Sequence, residues 1–232
     1  MTAEQLPLAL SLDTEATFDN YYVPHSQQLL VSELRRAALG DGEQFTLLSG
    51  DTGRRHLLQA CCHLAVSNEK LARYIPLEEV IHFPAEAVLE GVEALDLLCL
   101  DDLGAVAGMA DWEVALFNVY NRCLSSGTFL VVAAVQAPQS MDIGLADLRS
   151  RLQGFSRYRL VEMTESERIK ALQHRALERG LGLNDAVAEY IYRRCQRDFS
   201  SLFEVLNELD RHSLVQRRKL TIPFVREVMS WT

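Results

Sequence analysis

Apolar residues in the first half of the chain repeat first at helical and then at strand spacing. Over residues 26–39, Leu29, Leu30, Leu34 and Leu39 share one face of a predicted helix, which Gly40 and Gly42 end. The apolar run 45–48 reads as a strand; a glycine-bearing turn follows, then a helix over about 55–68 carrying Leu57, Leu58, Cys61 and Leu64. Residues 73–77 read as a short strand and 85–92 as a helix. The runs ALDLLCLDD at 94–102 and FLVVAAV at 129–135 do not alternate, the habit of strands buried on both faces of a parallel sheet. Between them, 112–124 has helical spacing through Ala115, Phe117, Val119 and Tyr120, and Gly127 stops it. A short helix over 145–152 holds Arg149 and Arg151, and 158–161 is a last strand. This alternation predicts a parallel sheet with right-handed crossovers. After Thr164 only helical patterns remain, at 165–179, 184–197, 200–216 and 222–230, the last with Pro223 in its first turn. An α/β domain followed by a small all-helical domain is expected.

Ahead of these elements, MTAEQLPLALSLD at 1–13 alternates Leu6, Leu8, Leu10 and Leu12 with other residues, and Pro7 opposes a helix. Two readings fit. One is an edge strand. The other is an exposed linear motif whose alternate side chains enter pockets on a partner, with Gln5 as polar anchor.

Composition narrows the class. A chain of 232 residues can bury roughly 70–75% of its unfolded surface, enough for one large domain with a smaller one. Hydrophobic residues at 48% and charged ones at 24% are those of a globular protein, and no run approaches the length of a membrane span. Glu4, Pro7 and Asp13 break any signal-peptide layout, so a cytoplasmic location without membrane contact is expected. Cys61, Cys62, Cys99, Cys123 and Cys195 form no C-x-x-C pair and fall in apolar patterns, which indicates buried thiols. A net charge of −9 argues against broad contact with a phosphate backbone, so any link to DNA runs through another protein.

Candidate chemistry lies at the carboxyl ends of the strands, where open α/β sheets bind ligands. FTLLSGDTGRRHLL at 45–58 has the outline of a phosphate-binding loop, G-x-x-x-x-G-K-[ST]. In the frame set by Gly53, Leu48 replaces the first glycine, Arg54 the lysine and Arg55 the Mg²⁺-binding hydroxyl. The run ending in Asp101-Asp102 suits a Walker B strand, with one carboxylate toward Mg²⁺ and the next toward an attacking water. A hydrolase using both carboxylates without nucleotide is disfavoured, because neighbours on a strand point to opposite faces. His56 and His63 share a predicted helix with no third ligand in register, so no zinc or other metal site is expected.

Six blocks in order, TFDNYY (17–22), GDTGRRHLLQA (50–60), LLCLDDL (97–103), WEVALFNVYNR (112–122), DLRSRL (147–152) and RKLTIPFVREV (218–228), resemble the Hda family, relatives of the AAA+ domain of the bacterial replication initiator DnaA. The resemblance covers nearly the whole chain. It implies a P-loop-type AAA+ fold, a five-stranded parallel α/β domain at 15–162 and a helical lid at 163–232, after a clamp-binding peptide at 1–14. Hda proteins negatively regulate replication initiation: they bind the DNA-loaded sliding clamp, the β subunit of DNA polymerase III, and promote hydrolysis of ATP held by DnaA. Gln5, Leu6, Leu8 and Leu10 match the family's clamp peptide Q-L-x-L-x-L. Arg151 falls on its arginine finger, the cation presented in trans; the residues alone also allow an Arg151–Asp147 pair on the helix surface.

By the same resemblance Phe18, Asn20, Gly50, Thr52, Gly53, Arg54, Asp101 and Asp102 are the nucleotide-side positions. Several have departed from the family's chemistry. Val135 stands at the sensor 1 place and Ser200 at sensor 2, and Arg55 has no acceptor for a cation. Intrinsic ATPase activity is therefore not expected; ADP held without Mg²⁺ is the nucleotide state the loop would still suit. AAA+ surfaces also self-associate, which leaves a homo-oligomer open. The chain ends at Thr232 without a helix-turn-helix domain, so sequence-specific DNA binding is not expected. A DnaA-like adaptor or loader of another assembly, without the clamp, is the alternative with the same fold.

Overall fold

A computed structural model describes residues 12–196, 199–216 and 218–231. The apolar runs form one parallel sheet. Its strands are β1 (Phe45–Ser49), β2 (Ala72–Pro76), β3 (Leu97–Asp101), β4 (Phe129–Ala134) and β5 (Ser156–Arg159), in the order β2-β3-β4-β1-β5. Register pairs Leu98 with Leu130 and, at the next position, Cys99 with Val131, so the inner strands present apolar side chains to both faces. Every residue of β3 is buried. The strand arginines lie on the edges, where Arg73 of β2 and Arg157 and Arg159 of β5 are exposed and blunt edge pairing.

Among the described residues six helices accompany the sheet: α1 (Gln28–Leu39), α2 (Arg54–Ser67), α3 (Leu77–Val80), α4 (Ala85–Val88), α5 (Ala110–Ser126) and α6 (Ala146–Gln153). On one face Leu47, Leu98, Leu100, Leu130 and Val132 pack with Trp112, Leu116, Val119, Leu148 and Leu152 of α5 and α6. On the other, Cys99 meets Cys61 and Cys62 of α2, and burial pushes its thiol well up. Four of the cysteines are buried as expected; Cys195 is partly exposed. The helix expected over 85–92 is shorter. α4 ends at Val88, and Gly91, at φ 72°, turns the chain into a 3-10 segment at Val92–Ala94.

The segment before α1 is pinned onto α2. His56 and His63 each place a ring nitrogen on a backbone carbonyl, Thr17 O at 2.7 Å and Asp13 O at 2.9 Å, and Gln59 Oε1 accepts from Asp13 N–H at 2.6 Å. Positions 56, 59 and 63 share one helical face, so this row grips the incoming chain.

By contact density the chain divides into two units. One runs through Phe18 and from His25 to Glu162; the other holds Asp19–Pro24 and everything from Met163 onward. The second unit contains α7 (Glu165–Glu178), α8 (Asp185–Arg194), α9 (Phe199–Gln216) and α10 (Ile222–Met229). Thr164 and Glu167 close a capping box on α7, Asn184 caps α8, and Thr221 caps α10 with Pro223 in its first turn. Leu172, Ala188, Ile191, Leu206, Leu209 and Phe224 form its core. α8 stops at Arg194, short of the expected 197, where Cys195 turns extended. Asp19–Pro24 is held here by His174, whose ring nitrogen meets Asp19 O at 2.8 Å and whose ring meets Tyr22 edge-on. Among the described residues no helix is long and apolar enough to cross a membrane, and no cluster suits a metal ion.

Candidate functional site

The glycine turn joins β1 to α2 at the carboxyl end of the sheet. Gly50 sits at φ 137°, and a Cβ there would lie 2.6 Å from Leu160 O, so only glycine fits between the first strand and the segment leaving β5. Its N–H faces the carbonyls of Ala134 and Val135 at 3.2 and 3.1 Å, which brings the sensor 1 position beside the turn. Gly53, at φ 89°, begins α2 without any side-chain cap. Asp51 and Thr52 are exposed at the tip. The first N–H groups of a helix have no intrahelical acceptor, and here no cap supplies one, which suits an anion.

The two arginines close the turn on itself. Arg54 donates from Nη1 to Gly50 O, and its Nε lies 3.8 Å from Asp101 Oδ1. Arg55 places Nε 3.8 Å from Asp101 Oδ2 and Nη2 3.2 Å from Glu79 Oε1. Asp101, at 4% exposure, also accepts from Tyr74 Oη and from Asp102 N–H, each at 2.9 Å. Burial, reinforced by the Asp101 charge, pushes the Tyr74 hydroxyl up, so it stays a donor. The buried acid at the end of β3 thus has its charge answered by guanidinium groups.

A divalent cation does not fit this donor set. Its usual hydroxyl is replaced by a guanidinium, which offers no lone pair, and Asp101 is already committed. A diphosphate does fit: uncapped amides open α2, and Arg54 Nε is buried with no hydrogen-bond partner. Asp102 has left the strand at φ 55°, and burial, against the pull of Arg54, raises its carboxyl above the ordinary range. Asp101 and Asp102 therefore do not converge on one point. The remaining expected positions scatter. Phe18 is buried beneath the Arg35 guanidinium, 4.6 Å from the ring centroid, and Asn20 belongs to the second unit. Ser200 lies in α9, its side chain outside the described set, and Gln5, Leu6, Leu8 and Leu10 lie outside the described residues.

Arg151 stands elsewhere. It sits in the last turn of α6, which leads into the start of β5, and its guanidinium lies over the Tyr120 ring, 5.3 Å from the centroid. Tyr120 packs on Phe45, the first residue of β1, at 4.6 Å, and on Phe155 at 6.0 Å. The glycine turn follows the opposite end of β1, about 16 Å along a strand of this length. Among the described residues Arg151 makes no ion pair with Asp147, so the surface pairing that the sequence allowed is not formed.

Two further residues hold this helix: Glu113, which the sequence did not single out, and Arg149, which it placed on the helix without a role. Glu113, at 3% exposure, accepts from Gly108 N–H at 2.8 Å, Gly144 N–H at 3.0 Å and Leu145 N–H at 2.7 Å, tying α5 to the start of α6. Arg149 donates from Nη2 to Ile143 O at 2.7 Å. The available signal was that Glu113, Leu116 and Tyr120 fall on one helical face: a charge in that row must be answered by donors elsewhere.

Comparison with known proteins bears on the family and the fold. The family "Hda, lid domain" matches residues 165–229. A Haemophilus influenzae protein described as uncharacterized is 38% identical over 230 residues, covering 98% of this chain and 99% of its own length. Among solved structures, domain III of the Thermotoga maritima replication initiation protein DnaA superposes with a TM-score of 0.77 at 19% identity, over 95% of this chain and 98% of that one. AMPPCP-bound DnaA from Aquifex aeolicus gives 0.71 at 21% identity, over 88% and 67%. The Thermotoga maritima RuvB Holliday junction branch migration motor gives 0.66 at 16%, over 93% and 71%. At these identities the structural matches speak for the AAA+ fold alone, and the lid match covers the helices of the second unit.

Proposed function

From a chain that belongs to the Hda family of DnaA-related AAA+ proteins, we propose a negative regulator of replication initiation: a clamp-tethered adaptor that presents Arg151 to ATP bound by DnaA. The observation that carries this reading is the separation of the two cationic sites. Arg54 and Arg55 turn toward Asp101 inside the turn, whereas Arg151 stands at the far end of β1, its guanidinium over the Tyr120 ring and unpaired with Asp147. A finger so placed cannot serve its own turn and suits a nucleotide on a second protein. The enzyme in this scheme is DnaA. The chain itself contributes no turnover, because its turn lacks the lysine, the hydroxyl and a free acid for Mg²⁺. ADP, held by the α2 amides and Arg54 without metal, is the nucleotide the turn would accept; AMPPCP is bound by the Aquifex DnaA of similar fold.

The clamp is engaged through Gln5, Leu6, Leu8 and Leu10. Replacing Gln5 and Leu6 with alanine is expected to remove retention on immobilised clamp by at least about tenfold, the loss of roughly 1.4 kcal/mol or more from two anchoring side chains. Full retention by the double variant would remove the peptide from the scheme. Failure of the unaltered protein to bind clamp at all would favour the alternative, an adaptor or loader of another replication assembly.

A further inference from the structure

We infer that Tyr120 is a positioning residue for Arg151, an aromatic platform that holds the guanidinium extended while leaving its hydrogen-bond donors unspent. The inference rests on the reading of Arg151 as a finger acting in trans. An exposed arginine ordinarily satisfies itself on a neighbouring carboxylate, and Asp147 stands one helical turn away on the same helix. That pairing is not made; the guanidinium lies over the Tyr120 ring instead. The difference matters chemically. A carboxylate would occupy the in-plane N–H groups, whereas the face of a ring attracts the cation through its quadrupole and leaves those N–H groups directed outward. A stacked arginine is therefore both ordered and able to clamp phosphate oxygens.

The platform is itself fixed. Tyr120 stacks on Phe155 at an interplanar angle of 30° and leans on Phe45, and these two rings lie 5.3 Å apart. Phe155 follows the end of α6 and Phe45 opens β1, so the triad ties the finger helix to that inner strand. Order of this kind lowers the entropy lost when the finger closes on a partner's phosphate.

The test compares Tyr120→Phe and Tyr120→Leu in hydrolysis of ATP preloaded on DnaA, with loaded clamp present and Arg151→Ala run beside them. Tyr120→Phe keeps the π face and is expected to stimulate within about twofold of the unaltered protein. Tyr120→Leu keeps apolar volume without the π face and is expected to lower the maximal stimulated rate by roughly three- to thirtyfold, the range of a cation–π contact. The half-saturating concentration of the regulator should stay the same, which a general packing defect would not predict. Thermal melts confirm that each variant is folded, and Tyr120→Met replaces the leucine variant if that one is not. Equal rates for Tyr120→Phe and the variant lacking the ring would overturn the inference. If Arg151→Ala itself stimulates normally, the finger reading fails first.

Discussion

Arg151→Ala is expected to reduce stimulated hydrolysis of DnaA-bound ATP by about 10³-fold or more, to the level DnaA shows without the regulator. Arginines supplied in trans accelerate phosphoryl transfer by 10³ to 10⁵ in GTPases, equivalent to ~4–7 kcal/mol of barrier, because they place a fixed cation where charge develops on the transferred group. Its neighbour Arg149 does not replace it, being turned back onto Ile143 O. Arg151→Lys should recover little, since an ammonium keeps the charge but loses the planar fork. The variant should still fold, because Arg151 is exposed and its loss removes one ring contact. Steady-state phosphate release at saturating regulator, with clamp retention measured in parallel, checks both halves. Normal stimulation by a clamp-retained Arg151→Ala protein would mean the cation is supplied by another residue.

Glu113→Gln should destabilise the α/β unit by ~2–4 kcal/mol, lowering its melting transition by roughly 5–10 °C. Burial by itself would raise the Glu113 carboxyl. The backbone donors of Leu145, Gly144 and Gly108, with the charge of Arg149, outweigh it and hold the group below its ordinary value. A glutamine keeps the shape but supplies one acceptor oxygen where the site uses two, and turns an N–H group toward a backbone N–H. The sign of the pH dependence follows from the depressed folded value. The carboxylate's contribution is complete above the unfolded pKa of ~4.3 and is lost as pH falls through the lower folded value. The gap between unaltered and variant proteins should therefore be widest near neutrality and narrow below about pH 4. Melting curves across pH 3–7 check this, and a gap that does not close on the acid side would place the effect in packing alone.

The fold was readable where one physical signal dominates locally. Unbroken apolar runs marked β3 and β4 as buried parallel strands, and glycines after Leu39 and before Phe129 marked where α1 and α5 end. The AAA+ fold and the Hda relationship came from six ordered blocks, and the lid match and the superpositions agree with them. What could not be read was where charges find each other across the sheet. That Arg54 and Arg55 both turn to Asp101 depends on β1 and β3 ending at the same edge with β4 between them, a fact of topology that spacing along the chain does not contain. Glu113 was hidden for a related reason: its partners Gly144 and Leu145 lie on a loop far along the chain. Helix 85–92 was overextended because apolar spacing continued through Gly91, whose left-handed backbone ends it.

These particulars change the meaning of the glycine turn. It keeps the strand-turn-helix shape, held by Gly50 against Leu160, while its two arginines neutralise the acid that would otherwise bind a metal. In the proposed function the chemistry lies at the opposite end of β1, on an arginine over a ring, and acts on a second protein's nucleotide.

The most direct test is the hydrolysis of ATP preloaded on DnaA, freed of unbound nucleotide and followed with DNA-loaded clamp and this protein each present or omitted. The account predicts rapid conversion to ADP only when both are present, and no turnover by this protein with ATP alone. Conversion at the same rate whether or not this protein is added, or turnover by this protein without DnaA, would contradict it.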